Sequence, residues 1–329
     1  MPSDTEPEID WDSLTFSFTQ TDRMYIAKCK IGGAWEKGVM KDYEDLVISP
    51  AAGVLNYGQG LFEGLKAQRA SDGSIVLFRP QQNAKRAQEG ARRLGMPPVP
   101  EEMFLEAVIS AVRENSRWVP PMGKGALYIR PLLMGSGPIL GVAPAPEYTF
   151  LVFTSPVGPY FKGGITPTSL RVSDKFHRAA PGGSGGVKAI GNYAPGMIPS
   201  KIAKKEGYSE IIYLDAVNHR YIEEVGAANF FCVKDGVVST PELTGTILPG
   251  VTRSSIIELA SSRGYEVREE KVDVEYAMKA DECFCVGTAA VVSSIGKIEY
   301  GDKVSEYNGG EVGPVTRQLY EELTAIQQR

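Results

Sequence analysis

The sequence predicts an α+β protein of two domains, and three observations lead there. Its strand-like and helix-like stretches follow one another in uneven order, without the regular alternation that builds a parallel sheet. Its 329 residues exceed the size at which a single hydrophobic core stops growing. Apolar residues make up 43% of the chain, enough to fill two cores.

Each element has its own signal. In the N-terminal half, "IVLFRP" (75–80) reads as a short strand whose Pro80 opens a helix, "QQNAKRAQEGARRLG", closed at Gly95 before "MPPVP". The stretch "EEMFLEAVISAVRENSRWV" (101–119) repeats Phe104, Val108, Ala111 and Val112 at helical spacing. "GALYIRPLLMG" (125–135) and "YTFLVFTSPVG" (148–158) are strand-like, and the glycine and proline of "SPVGPYFKGGITP" mark a domain junction. The second half opens with "SLRVSDKF", passes through a glycine-rich loop, and forms a helix over "PGMIPSKIAKKEG". Strands "EIIYLDA", "RYIEEV" and "NFFCVKDGVVST" follow, the last a hairpin turning at Asp235-Gly236. "LPGVTRSSIIELASSRG" (248–264) is a helix led by Pro249-Gly250 and ended by Gly264, and "ECFCVGTAAVVSSIGKI" is a strand that breaks at Gly287-Thr288. There is no internal repeat.

Composition removes several function classes. A net charge of −5 with scattered basic residues gives no footprint for a polyanion, so nucleic acid is not an expected partner. No apolar run approaches the roughly 20 residues that cross a bilayer, which sets aside a membrane partner. The opening "MPSDTEPEIDWDS" is acidic where targeting segments are basic, so the expected location is cytoplasmic; a mature plastid or mitochondrial chain whose presequence had been removed would read the same. Cys29, Cys232, Cys283 and Cys285 lack metal-ligand spacing and read as reduced core residues, so no metal site is expected. Two histidines, His177 and His219, exclude most triads and imidazole-based zinc sites. Chemistry must rest on Lys, Tyr, Arg, Glu or a borrowed cofactor.

One stretch concentrates that chemistry. In "GGSGGVKAIGNYAPGM" (182–197), Lys188 is the sole charged side chain between Arg178 and Lys201. Glycine loses the most conformational entropy on folding, so such a run marks a close backbone approach. A lysine acts as a nucleophile when it meets a carbonyl, and pyridoxal 5'-phosphate is the commonest such partner. That cofactor requires an anion cradle, an acid facing the pyridine nitrogen and a donor for the ring hydroxyl. "LPGVTRSSIIELA" offers a helix start with Gly250 and Thr252, "EEVGAAN" offers Glu223 or Glu224, and Tyr193 follows Lys188 by five residues. Taken singly, these are equally a mobile loop, an ordinary core helix, a solvated acidic pair and a packing tyrosine.

Together they resemble one family. "LNYGQGLFEGLKA" (55–67), "LFRPQQNAKRA" (77–87), "ALYIRPLLMGSG" (126–137), "GGVKAIGNY" (185–193), "YIEEVGAANFF" (221–231), "LPGVTRSSI" (248–256) and "CVGTAA" (285–290) are similar, in order, to the signatures of fold type IV branched-chain amino-acid aminotransferases, the plant and bacterial types above all. The resemblance implies roles. Lys188 matches the lysine that binds pyridoxal 5'-phosphate covalently and moves the proton; Glu224, five positions before Asn229, matches the pyridine-nitrogen acid. Arg86 matches the phosphate arginine, with the amides of Val251 and Thr252 and the hydroxyl of Thr288 completing the cup, and Tyr193 matches the partner of the ring hydroxyl. Thr288, Ala289 and Ala290 match the turn whose amides meet the substrate carboxylate. Tyr128 and Arg130 match substrate contacts, and Phe16, Phe62, Tyr160 and, across a homodimer interface, Tyr57 line the side-chain pocket.

Four positions depart from the pattern: Ile190 stands where many members have glycine, Ala227 where some have threonine, and Ala290 and Ser293 replace a Cys-x-x-Cys pair of some animal members. The implied fold is a smaller N-terminal α/β domain (1–156), a linker (157–168) and a larger C-terminal cofactor-binding domain with a barrel-like sheet (169–329). The implied reaction, a step of branched-chain amino-acid biosynthesis, exchanges the amino group of leucine, isoleucine or valine with 2-oxoglutarate. The alternatives are a D-amino-acid aminotransferase, an aminodeoxychorismate lyase, an aminotransferase for methionine-related 2-oxo acids, or a silent cofactor-binding scaffold. "YIRP" and "GTAA" favour the branched-chain reading.

Overall fold

The computed structural model describes residues 7, 9–159 and 164–329. Tyr160 and part of the expected 157–168 linker lie outside the described residues. Among them, backbone contacts divide the chain into two compact units, one drawn from Met1–Tyr160, Val187–Gly191 and Gln327–Arg329, the other from Phe161–Gly186 and Asn192–Ile326.

The first unit contains β1 (Arg23–Lys30), β2 (Val39–Asp42), α1 (Gly53–Tyr57), β3 (Gly60–Phe62), β4 (Leu65–Arg69), β5 (Ile75–Leu77), α2 (Pro80–Arg93), α3 (Glu101–Glu114), β6 (Ala126–Gly135) and β7 (Glu147–Val157). Its antiparallel sheet runs β2-β1-β7-β6-β4-β5, with β3 also on β6. Pro80 occupies the first turn of α2, where its missing N–H leaves no bond unmade. On α3, Phe104, Ala107, Val108, Ala111 and Val112 form the buried stripe, and Phe104 stacks on Phe150 of β7 with ring centroids 5.8 Å apart. The helical spacing extends to residue 119, but α3 stops at Glu114. The fully buried Asn115 explains the stop: its amide nitrogen donates to the Ala111 carbonyl, while its oxygen accepts from the N–H groups of Asp22 and Arg23.

The second unit contains β8 (Thr168–Val172), α4 (Met197–Lys205), β9 (Glu210–Leu214), β10 (Ile222–Val225), β11 (Ala228–Lys234), β12 (Val237–Pro241), α5 (Val251–Ser262), β13 (Glu266–Glu270), α6 (Val274–Ala277), β14 (Glu282–Gly287), β15 (Val291–Tyr300), β16 (Lys303–Glu306) and α7 (Pro314–Gln327). Strands β10-β9-β8-β15-β14-β11 pair in order, and β11 pairs back onto β10, closing a six-stranded barrel-like sheet. Closure leaves these strands without free edges. Phe230, Cys232, Cys283, Cys285, Ile212 and Ile295 share one buried core cluster, and all four cysteines are free and buried. At the β11–β12 hairpin Asp235 and Gly236 both have positive φ, 50° and 78°, the twist that a two-residue turn needs. Among the described residues no helix is long and apolar enough to cross a membrane, and no cluster of His, Cys, Asp and Glu could hold a metal ion.

Candidate active site

In the first unit, Lys188 is fixed through its backbone. The Phe62 N–H donates to the Lys188 carbonyl at 3.1 Å, and Ala189 bridges to Leu61 on β3. Two glycines permit that approach. A Cβ on Gly90 of α2 would sit 3.1 Å from Val187, and one on Gly60 would sit 3.1 Å from the Ile190 side chain. Ile190 therefore packs where β3 has no side chain of its own. The Lys188 Nζ lies 4.8 Å from the centre of the Phe62 ring.

Beside it is a charged cluster that sequence reasoning missed. Glu63, 1% exposed, accepts from Arg86 through Nε at 2.8 Å and through the terminal nitrogen at 2.7 Å, and from the Asn83 amide at 2.8 Å. Burial pushes the Glu63 carboxyl up. The charges of Arg86 and Lys188, with the Asn83 hydrogen bond, outweigh it and hold the carboxyl below its ordinary range. Glu63 lies within "LFEGLKA", yet nothing in the sequence separates it from a solvated acid. The fork of Arg86 is thus aligned by a buried carboxylate.

Strand β6 supplies a second group. Tyr128 and Arg130, two residues apart, share a face. Lys66 is the cross-strand partner of Tyr128 on the same face, and burial pushes its amine down to about 8. Gly64 makes room for the Tyr128 ring, since a Cβ there would overlap the hydroxyl, and Phe16 meets that ring edge-on at 5.1 Å. The Arg130 guanidinium carbon lies 4.7 Å from the Phe62 ring centre and 5.2 Å from that of Tyr128. Its terminal nitrogen reaches the Tyr128 hydroxyl at 3.3 Å, its buried Nε has no hydrogen-bond partner, and no carboxylate pairs with it among the described residues. Of the expected pocket residues, Phe16, Phe62, Tyr128 and Arg130 therefore converge. Tyr57, on α1, stands apart: it is 41% exposed, and its hydroxyl donates to the Leu140 carbonyl.

In the second unit, Glu224 is 2% exposed on β10. One of its oxygens accepts from the Asn229 amide at 3.0 Å and from the Leu248 N–H at 3.2 Å, and the other forms an ion pair with Arg178. Arg178, also missed from sequence, is buried and donates to the carbonyls of Gly185 and Thr246. The register Glu224↔Asn229 across β10 and β11 is closed by a turn in which Gly226 has φ 53°.

Asn229 also shapes the start of α5. Gly250 is the residue before the helix, and a Cβ there would run into the Asn229 side chain. No side chain caps α5, so the amides of Val251 and Thr252 are available to an anion, with the buried Thr252 beside them. Thr288, Ala289 and Ala290 form the turn between β14 and β15, and Val291 follows with φ 63°. A β-branched residue in the left-handed region costs about 1–3 kcal/mol and clusters at functional turns. Tyr193 lines a cavity of about 210 Å³ together with Arg178, Tyr213 and Ala227.

Residues 60–298 match the amino-transferase class IV family. The chain is 54% identical over 321 residues to a branched-chain-amino-acid aminotransferase 3, chloroplastic, of Arabidopsis thaliana, covering 97% of this chain and 78% of the relative. It is 49% identical over 319 residues to a methionine aminotransferase of the same plant, covering 97% and 90%. Its backbone superposes with a TM-score of 0.80 on a branched-chain amino acid aminotransferase of Escherichia coli, at 29% identity, covering 94% of this chain and 95% of that one. The chain belongs to the class IV aminotransferases, among the branched-chain amino-acid aminotransferases.

Proposed function

We propose that the protein transfers the amino group of L-leucine, L-isoleucine or L-valine to 2-oxoglutarate, yielding the branched-chain 2-oxo acid and glutamate with pyridoxal 5'-phosphate as cofactor. The observation that carries this reading is Arg130, a half-buried cation without a carboxylate partner among the described residues, set against the rings of Phe62 and Tyr128. One substrate brings only hydrocarbon and the other a second carboxylate, which an apolar pocket cannot accept unpaired without a cost of several kcal/mol. Aromatic faces cover the guanidinium for leucine, and its free N–H edge answers the carboxylate of 2-oxoglutarate.

The remaining residues fit a phosphorylated pyridine. The uncapped start of α5, where Gly250 admits no side chain, offers Val251 and Thr252 to a phosphate, with Arg86 and Thr288 as further donors. Glu224, held by Arg178, Asn229 and the Leu248 amide, is a carboxylate for the ring nitrogen, and Tyr193 serves the ring hydroxyl. When bound, the cofactor supplies the electron sink for cleavage at the substrate α-carbon. Lys188 anchors it, and its Nζ takes the α-proton and returns it. The ring of Phe62 keeps one side of that amine away from water. Ala289 and Ala290 offer backbone to the substrate carboxylate, and Phe16 and Phe62 border the side chain.

A panel of L- and D-amino acids against 2-oxoglutarate tests the assignment: L-leucine, L-isoleucine and L-valine are expected to react and D-leucine to remain. A second reading, toward methionine-related substrates, is favoured by the methionine aminotransferase relative, and L-methionine in the same panel separates it. Turnover limited to D-amino acids would refute the proposal. We further propose a homodimer in which the exposed Tyr57 reaches the partner's pocket; light scattering at micromolar protein is expected to give twice the chain mass. For the compartment, the cytoplasmic expectation competes with the chloroplast of the named Arabidopsis relative, and fractionation of cells making the full-length chain decides between them.

A further inference from the structure

A second cavity, of about 200 Å³, opens in the C-terminal unit and shares none of the residues assigned above to the cofactor or substrate. A bulge borders it. On β10 the pairing to β9 shifts between Ile222 and Glu224, so Glu223 is an extra residue with no partner in that ladder. Bulges turn side chains in new directions. Glu224 joins Arg178 and Asn229, whereas its neighbour Glu223 forms part of the cavity wall.

Glu223 is 5% exposed, and its Oε2 has no hydrogen-bond partner. Burial pushes its carboxyl up, with a Thr246 hydrogen bond and the charges of Arg178 and His177 acting against it. An unmatched carboxyl oxygen in the interior is costly unless a ligand completes it. The other walls indicate the ligand's charge. Asp215, Glu242 and Glu270 face the same space, against one ammonium, Lys271, which lies 5.7 Å from the centre of the Tyr221 ring. Two of these acids are already engaged: Asp215 accepts from the N–H groups of Asn218, Arg220 and Tyr221, and Glu270 accepts from the Ser239 hydroxyl. Glu223 is the buried acid left for a guest. Ile222, Ile247, Pro241 and Tyr221 supply apolar wall for the guest's body.

We infer that this cavity is a binding site for a small organic ammonium ion with an apolar body, its N–H donated to Glu223. The cavity is separate from the transamination chemistry, so its test is independent of the proposed function.

The probe is piperidinium chloride, a secondary ammonium, with tetrahydropyran as the uncharged ring of the same shape. Calorimetric titration into the cofactor-loaded enzyme is expected to give a dissociation constant on the order of 1–10 mM for piperidinium and at least ~10-fold weaker binding of tetrahydropyran. Glu223→Gln is expected to weaken piperidinium by at least ~10-fold. Ala216→Trp, which fills the cavity from its loop, is expected to abolish binding while leucine transamination continues at the parent rate. Circular dichroism reports folding, and if Glu223→Gln does not fold, Ala216→Trp carries the test. Absence of binding by the parent up to roughly 100 mM, equal binding of the two rings, or binding unaffected by Ala216→Trp would each overturn the inference.

Discussion

Replacing Arg130 by alanine tests how one pocket serves two unlike substrates. Among the described residues Arg130 has one long contact, 3.3 Å to the Tyr128 hydroxyl, a buried Nε without a partner and two aromatic rings against its face. Truncation therefore removes two kinds of interaction. The ring stacking, about 0.5–1 kcal/mol per contact, is lost for every substrate and slows both half-reactions by a few-fold. The charge-assisted hydrogen bond to the second carboxylate of 2-oxoglutarate, about 1.5–3 kcal/mol, is lost for that substrate alone, a further ~10- to ~100-fold. The assay is single-turnover absorbance of the bound cofactor, run separately with leucine and with 2-oxoglutarate. The expected outcome is a ratio of the two half-reaction rates that shifts by at least ~10-fold against 2-oxoglutarate. Equal slowing of both would mean that Arg130 supports the sheet or the cofactor and does not read the second carboxylate.

Borohydride reduction of the yellow holoenzyme is expected to bleach it and leave the label on Lys188; a label on another lysine removes Lys188 from its role. Glu63→Gln leaves the 9% exposed Arg86 without its counter-ion, which should lower unfolding stability by about 3–5 kcal/mol in chemical denaturation. Glu63→Leu combined with Arg86→Met should restore most of that stability yet lose cofactor on dialysis, and retention of cofactor by the double variant would place the phosphate elsewhere. Burial raises Asp215, but N–H donors from Tyr221, Asn218 and Arg220 draw it down to about 2. Its contribution is present above the unfolded value near 4 and is lost as pH falls through about 2; discounted for solvent it is about 1 kcal/mol. Asp215→Asn should therefore melt earlier than the parent at pH 6, with the gap narrowing below pH 4, and a gap independent of pH would refute this account.

The elements legible in the sequence are those whose cause is local. Pro80 opens α2 because its ring fixes a helical φ, the stripe from Phe104 to Val112 places α3, and Asp235-Gly236 accepts the positive φ of a hairpin. The order of seven short motifs carries the family, and with it Lys188, Glu224, Arg86 and Arg130 as expected site residues. No expectation covered β1, β2 or α7, whose stretches were not singled out by spacing or capping signals.

What only the tertiary structure decided concerns partners. The sequence offers Arg86 and Asn83 in one motif and Glu63 in another; folding buries them as one ion-paired cluster, where the absence of a side chain at Gly90 lets α2 approach Leu61 of β3. Arg178 carries no signal beside Lys188 until the carboxylate of Glu224 is found against it. The pair Glu223-Glu224 reads as two equivalent acids along the chain. Successive residues of β10 point to opposite faces, so one reaches Arg178 and Asn229 and the other a cavity wall, and which does which is set by the pairing of the strand and not by side-chain identity.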